Sequence, residues 1–241
     1  MTRKEIKTLA KEKLKGRWTN IVLLTLILAI IEIVASQIAA EYSILSFAND
    51  ILLVPAITAV GVIYVIKFVS SSKKVSLNEA IPSVNMWIRF IKMIVIVAIC
   101  TIPVIIVVVF GEVLFITMAS TMHAAMFMGG LPFDPVMMIW IMAGGIALIG
   151  ILLGSIVGVF LFPLSYLVAE EEIGVWKATC KSVKIMKGHK WELFVLGLSF
   201  LGWGLLSILT FGIGLLWLLP YIQVTFRTYY LSITGRIDEI R

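Results

Sequence analysis

The chain has 241 residues, of which 61% are hydrophobic and only 14% are charged. Soluble domains carry charge on about a quarter of their residues, so this composition excludes an ordinary soluble protein and indicates a membrane protein. A net charge of +6 could suggest nucleic acid, but the basic residues adjoin membrane-length apolar segments. We therefore expect the partner to be a phospholipid bilayer with anionic headgroups, and we expect no nucleic acid.

Six apolar segments are long enough to cross a bilayer, which needs about 20 helical residues. The predicted spans are 19–40, 47–69, 88–115, 137–168, 191–209 and 213–233. The fourth exceeds a straight crossing, so we expect it to tilt or to continue into the cytoplasm. Gly212 and Gly214 predict a tight turn between the last two spans, because glycine adopts positive φ without strain. The sequence thus predicts an all-α bundle in a single membrane domain, 1–241.

The 20 Lys and Arg residues lie in alternate gaps between these spans. They occupy 3–17, 67–92, 177–190 and 227–241, whereas the other gaps contain acidic residues. Lys and Arg resist translocation and stay on the cytoplasmic side. This alternation predicts a multi-pass protein with both termini in the cytoplasm.

Each pair of spans follows a basic segment that ends at a tryptophan. Two of these segments begin with the spacing of a helix capping box, Thr2 with Glu5 and Ser76 with Glu79. Such amphipathic helices lie in the headgroup plane. The residues expected to contact headgroups are Lys7, Lys11, Lys15, Trp18, Trp87, Lys181, Lys184, Lys187 and Trp191. We interpret the pattern as three helical hairpins in repeat-like units, 1–69, 70–168 and 175–241, although any basic loop beside a span has some amphipathic character.

Glu32 is the first candidate for a polar site inside the membrane. It lies 14 residues beyond Trp18, or about 21 Å along a helix. A carboxylate at that depth costs a few kcal/mol unless it faces the bundle interior or a wet cavity. Glu32 is either a site coupled to protons or cations, or a hydrogen-bonded residue that only packs helices.

Arg227, in the sixth predicted span, is the second candidate. The favoured interpretation is that its side chain extends to the cytoplasmic surface. Otherwise it faces inward and meets Glu32, Gln223 or a lipid phosphate.

Three glycines, Gly150, Gly154 and Gly158, follow one another at intervals of four residues in the fourth span. Small residues on one face allow helices to approach closely, and we expect this face to pack within the chain rather than to form a dimer.

An uncharged, methionine-rich segment, 116–138, is predicted outside the membrane and contains His123. Thioether and imidazole groups favour Cu(I). The surrounding aromatic and aliphatic residues instead favour an apolar flap on the outer leaflet. We predict the flap and no metal site.

No catalytic motif is present: there is no Gly-x-Ser-x-Gly elbow, no Walker loop and no His-Glu-x-x-His. The two histidines, His123 and His189, are predicted on opposite sides of the membrane. Because no set of nucleophile, base and orienting group can be assembled, we expect neither an enzyme nor a cofactor.

Both ends of the chain carry motifs of a known family. The opening ones are Arg3, Ile6, Lys7, Ala10, Leu14, Lys15, Gly16 and Trp18, and the closing ones are Met186, Lys187, Gly188, Trp191, Gly202, Trp203, Gly212, Gly214, Trp217, Pro220, Tyr221, Tyr229 and Tyr230. In these residues the chain resembles the bacterial integral membrane proteins grouped as "domain of unknown function 975". The resemblance implies a six-span protein of the bacterial plasma membrane and implies no activity.

Two functions are compatible with these features. A bundle rich in Gly and Pro with one buried acid favours transport, export or shielding of a small amphipathic or hydrophobic molecule. The alternative is a structural or accessory membrane protein that organises lipid or a partner complex. A polar cavity that reaches Glu32 would favour the first, and a hydrogen-bonded Glu32 in a packed bundle would favour the second.

Overall fold

The computed structural model describes residues 1–40, 49, 53–71, 75–76, 79, 81–127, 135–171 and 173–240. All regular elements within those ranges are helical, which confirms the all-α prediction for this part of the chain. The α-helices are α1 Arg3–Leu14, α2 Trp18–Ala40, α3 Val54–Ser70, α4 Val84–Phe127, α5 Pro135–Leu161, α6 Leu164–Glu170, α7 Val175–Ile185, α8 Lys190–Leu209 and α9 Leu215–Ile233, followed by a 3-10 turn at Ile237–Glu239.

Four helical stretches in the described residues are long and apolar enough to cross a membrane. They are Trp18–Ala39, Val84–Met118, Ile141–Glu170 and Lys190–Leu209. The apolar helix Ala56–Ser70 is shorter, and Gln223 and Arg227 interrupt the apolar run of α9. The chain is therefore a multi-pass membrane protein, while the six individual crossings stay predictions.

The span predicted over 137–168 is interrupted near its C-terminal end. Helix α5 ends at Leu161, and Pro163 caps the start of the short helix α6. Proline donates no backbone hydrogen bond and its ring clashes with the preceding helical turn, so it ends the longer helix. Helix α6 buries Leu167 and Val168.

Helix α1 is the amphipathic helix that the sequence predicts. The Thr2 hydroxyl accepts a hydrogen bond from the Glu5 amide (3.3 Å), and the Glu5 carboxylate accepts one from the Thr2 amide (3.1 Å). This reciprocal capping box satisfies two amides that the first helical turn leaves free. Ile6, Ala10 and Leu14 are buried on the face that contacts α9.

The other two basic segments differ in how much of them is described. In the third, α7 buries Val175, Ala178 and Ser182 and contacts α6. In the second, Glu79 accepts a hydrogen bond from the Ser76 amide at 3.1 Å, which is one half of the predicted capping box. Residues 77–78 and 80 lie outside the described residues, so a helix in that segment stays a prediction.

The chain divides into two compact units, one formed by Met1–Val95 with Leu161–Arg241 and the other by Ile96–Phe160. In the first unit α9 contacts α1, α2, α3 and α8. Its residues Val224, Thr225 and Thr228 are completely buried. Helix α9 is thus the central element of the unit that holds the predicted polar residues.

In the second unit α4 and α5 approach each other closely at only part of the predicted glycine face. A Cβ atom on Gly150 would lie 2.9 Å from Cγ2 of Val108. A Cβ atom on Gly154 or Gly158 would meet no described atom within 4 Å, so packing at these two glycines stays a prediction. Each step of four residues rotates the position by about 40° around the helix, which carries the later glycines away from the contact. The sequence analysis did not single out Gly111, whose Cβ would lie 3.2 Å from Ile146.

The turn between α8 and α9 is tight, as predicted. Gly212 has a φ of 83°, and Phe211 beside it has the positive φ of 52°, which is uncommon outside glycine. Gly214 permits close approach, because an added Cβ would lie 2.7 Å from the Ser207 hydroxyl oxygen.

The methionine-rich segment lies mainly outside the described side chains. Helix α4 continues to Phe127 and α5 begins at Pro135, so both ends of the segment are helical, and the apolar flap on the outer leaflet stays a prediction. Residues 128–134 and the side chains of 122–140, which include His123, are not described.

Candidate functional site

A cavity of about 380 Å³ lies among α2, α3 and α9, with Tyr166 of α6 in its wall. Its lining is mainly apolar and includes Leu24, Leu28, Val62 and Leu219. Along α2 it extends from Ile21 to Glu32, about 16 Å at the rise of an α-helix. A concave, largely apolar space with a few polar groups is the usual form of a small-molecule site.

Two of the three residues predicted for an intramembrane polar site meet at this cavity. Glu32 and Gln223 both line it, from α2 and α9 respectively. The Oε2 atom of Glu32 is buried and accepts no hydrogen bond from any described residue. An unpaired buried acceptor is costly, so a donor or a cation entering the cavity would be stabilised there.

Two threonine hydroxyls in the wall form hydrogen bonds within their own helices. The Thr25 hydroxyl donates to the Ile21 carbonyl at 2.8 Å, and the Thr58 hydroxyl donates to the Val54 carbonyl at 2.8 Å. Each hydroxyl keeps acceptor capacity but gives its proton to its own helix. Glu32 is therefore the side chain in the described wall that most needs a partner.

The favoured sequence interpretation expected Arg227 to extend to the cytoplasmic surface, but the structure places its side chain in the interior. Arg227 also pairs with neither Glu32 nor Gln223. Its side chain is completely buried and forms an ion pair with Glu170 of α6. The guanidinium carbon lies 5.3 Å from the ring centre of Tyr166 and 5.2 Å from that of Tyr230. Pairing prevails because the break at Pro163 lets α6 bring a carboxylate to the buried face of α9, where an ion pair and two aromatic rings replace water.

Glu170 also accepts from a second arginine. Arg236 donates to Oε2 of Glu170 at 2.9 Å and to Oε1 of Glu239 at 2.6 Å. The hydrogen bond with Glu239, followed by the interactions with Glu170, raises the pKa of Arg236. Glu170 thus joins a fully buried arginine to a partly exposed one at the end of the chain.

Sequence reasoning missed Glu170, although a signal was present. Residues 170–172 are three consecutive acids at the start of a gap that is otherwise mainly basic. Such a run directly after a span has the charge needed to pair with a buried arginine. Tyr166, also missed, lines the cavity on one side and contacts the Arg227 guanidinium on the other.

The residues predicted to contact headgroups all have side chains that are at least partly exposed. The most exposed of the aromatic ones is Trp191, at 73%. Lys181 forms an ion pair with Glu171. The complete set is Lys7, Lys11, Lys15, Trp18, Trp87, Lys181, Lys184, Lys187 and Trp191.

The sequence was compared with known families, proteins and structures. A family model described as "Protein of unknown function (DUF975)" matches residues 1–237. No curated protein and no solved structure matches the chain. Because the match covers nearly the whole length, from α1 to the terminal 3-10 turn, the chain belongs to the DUF975 family.

Proposed function

We propose that this protein binds a small amphipathic or hydrophobic molecule in the cavity beside Glu32 and transports, exports or shields it. The observation that carries the proposal is the buried, unpaired Oε2 atom of Glu32 at the wall of a mainly apolar cavity. The apolar part of a ligand would contact the aliphatic wall, and a donor group or positive charge would meet Glu32 and Gln223. No chemical step is required, so the proposal is for a protein that is not an enzyme.

The proposed location is the plasma membrane of a bacterium, with both termini in the cytoplasm. The alternation of basic and acidic gaps supports this orientation. Six crossings give this orientation, and so do four if α8 and α9 both turn back within the membrane. Four crossings by the longest apolar stretches alone would instead put the basic segments 67–92 and 177–190 outside. In the proposed orientation the basic segments of α1 and α7 would lie against anionic headgroups of the inner leaflet.

An accessory role, in which the protein organises lipid or a partner complex, is the second candidate. The observation that favours it is the complete burial of Arg227 against Glu170. One of the polar residues predicted for transport therefore holds α6 and α9 together rather than facing the cavity. The two functions differ in whether the Glu32 cavity binds a ligand.

The test is binding of three probes to purified protein in detergent: the cation tetraphenylphosphonium, neutral Nile red and an anionic naphthalene sulfonate. We expect Glu32→Gln to weaken binding of the cation by about tenfold or more, because it removes the opposite charge: two unit charges about 6 Å apart attract by about 3 kcal/mol at an effective dielectric constant of about 20. Glu112→Gln is the matched control, because Glu112 is an exposed acid on α4.

A second variant tests the cavity without changing charge. A Cβ on Gly61 would meet no described atom within 4 Å, and Gly61 lines the cavity. Gly61→Leu should fill the space and reduce binding of every probe that enters it. If folded Glu32→Gln and Gly61→Leu both bind the probes like the wild type, the proposal is wrong and the accessory role is favoured.

A further inference from the structure

A second cavity, of about 590 Å³, lies between α1 and the α8–α9 pair. It shares no lining residue with the Glu32 cavity. Trp203 of α8 and Trp217 of α9 contribute aromatic walls, and Lys7 and Lys11 of α1 line its other side. The cavity therefore combines two cationic groups with an apolar groove.

The two lysines lie against aromatic rings rather than carboxylates. The Nζ atom of Lys7 is 4.4 Å from the centre of the Phe200 ring, and that of Lys11 is 5.8 Å from the centre of the Tyr221 ring. Neither forms an ion pair with an acid within the described part of the chain. Burial lowers the pKa of Lys7, and the charges of Lys11 and Arg3 lower it further. An anion between the two lysines would offset this lowering of the pKa, because a nearby negative charge favours the protonated form of Lys7.

The groove is short enough to lie within one leaflet of a bilayer. Its lining on the α8 side runs from Trp203 to Thr210, seven residues or about 10 Å along the chain. A bilayer has a hydrocarbon thickness of about 30 Å, so one leaflet contributes about 15 Å. The end of the groove next to the α8–α9 turn is uncharged, since Thr210 and Gly214 line it.

We propose that this groove binds one anionic phospholipid, with the phosphate between Lys7 and Lys11 and an acyl chain between Trp203 and Trp217. Charge complementarity selects the headgroup, because the two lysines have no acidic partner among the described residues. The aromatic walls and the apolar length of the groove select a lipid over a free phosphate, which would leave the apolar part of the groove empty. The site is distinct from general attraction of basic helices to a membrane surface, since it is a single groove with defined walls.

The experiment is a titration of delipidated protein in detergent, followed by native mass spectrometry. The probes are phosphatidylglycerol, phosphatidylcholine with the same acyl chains, and glycerol phosphate. We expect one phosphatidylglycerol to bind about thirty-fold more tightly than phosphatidylcholine, the usual effect of two lysines near an anionic group. Glycerol phosphate should not compete.

Two pairs of variants separate charge from shape. Lys7→Gln with Lys11→Gln should abolish the preference, whereas Lys92→Gln with Lys177→Gln, exposed lysines outside the predicted headgroup set, removes the same charge and should preserve it. Leu206→Trp should block the groove, since Leu206 lines it. Leu205→Trp changes the exposed neighbour and should not affect binding.

Three results would overturn the proposal. One is equal affinity of the wild type for the two phospholipids. Another is loss of the preference in both lysine double variants to the same extent, which would show attraction by net charge alone. The third is competition by glycerol phosphate together with normal binding by Leu206→Trp, which would show a site for a free anion.

Discussion

Glu170→Gln removes the negative charge that accompanies the buried guanidinium of Arg227 while preserving the size of the side chain. Arg227 is 0% exposed and Glu170 is 13% exposed. Two further nitrogens of Arg227, Nε and Nη1, have no hydrogen-bond partner among the described residues. The substituted amide could still accept one hydrogen bond, but the cation would remain in a buried site without its counter-charge.

Breaking a buried ion pair by removing one partner costs about 3–5 kcal/mol. Because the glutamine retains an acceptor, we expect the lower end of this range, about 3 kcal/mol. For a chain of this size each kcal/mol corresponds to about 2–4 °C in Tm, so the expected decrease is about 6–12 °C. Replacing both partners, Arg227→Met with Glu170→Met, should cost much less, because no unpaired charge is left.

Thermal unfolding in detergent, followed by tryptophan fluorescence, measures the effect. The control is Glu171→Gln at the adjacent acid, whose ion pair with Lys181 has side-chain exposures of 26% and 48%. An exposed pair contributes at most about 1 kcal/mol, so this control should shift Tm by about 4 °C or less. Equal shifts for Glu170→Gln and Glu171→Gln would show that burial of Arg227 does not set the energy of its ion pair.

Two further predictions concern the helix pairs. Gly150→Ala should lower the Tm, because its Cβ would lie 2.9 Å from the stiff side chain of Val108 and overpacking costs about 1–3 kcal/mol. The control is Gly154→Ala, whose Cβ meets no described atom within 4 Å and which should be neutral or stabilising by up to about 1 kcal/mol. An equal change in Tm for both variants would contradict close packing at Gly150. If the phosphate lies at Lys7 and Lys11, the α8–α9 turn is near the middle of the bilayer, so a cysteine replacing Phe211 should resist a membrane-impermeant thiol reagent applied from either side. Rapid labelling of Phe211→Cys from outside intact cells would show that α8 and α9 cross completely.

Much of the local architecture follows from periodicity and end signals in the sequence. Helix α1 begins where Thr2 and Glu5 predict a capping box, and it buries Ile6, Ala10 and Leu14, which recur at helical spacing. The apolar runs predicted as spans at 19–40 and 191–209 agree with α2 and α8 within a residue or so at each end. These features are decided by neighbours a few residues apart, so a single sequence contains the information needed to predict them.

The candidate site is different, because its parts are distant in the chain. The cost of a carboxylate in hydrocarbon predicts from sequence that Glu32 faces a cavity. Its proximity to Gln223 could not be predicted, because it depends on the packing of α2 against α9. The partner of Arg227 depended on the break at Pro163, which directs Glu170 toward α9.

Charge and hydropathy along the chain determined that this is a helical membrane protein with basic segments between its spans. Only the tertiary structure decided which polar groups became partners and which remained unpaired. The physical reason is the separation of the interacting residues along the chain. Propensity, capping and apolar length act over a few residues, whereas the ion pair of Arg227 with Glu170 joins positions 57 residues apart. Those positions meet only after the helices have packed.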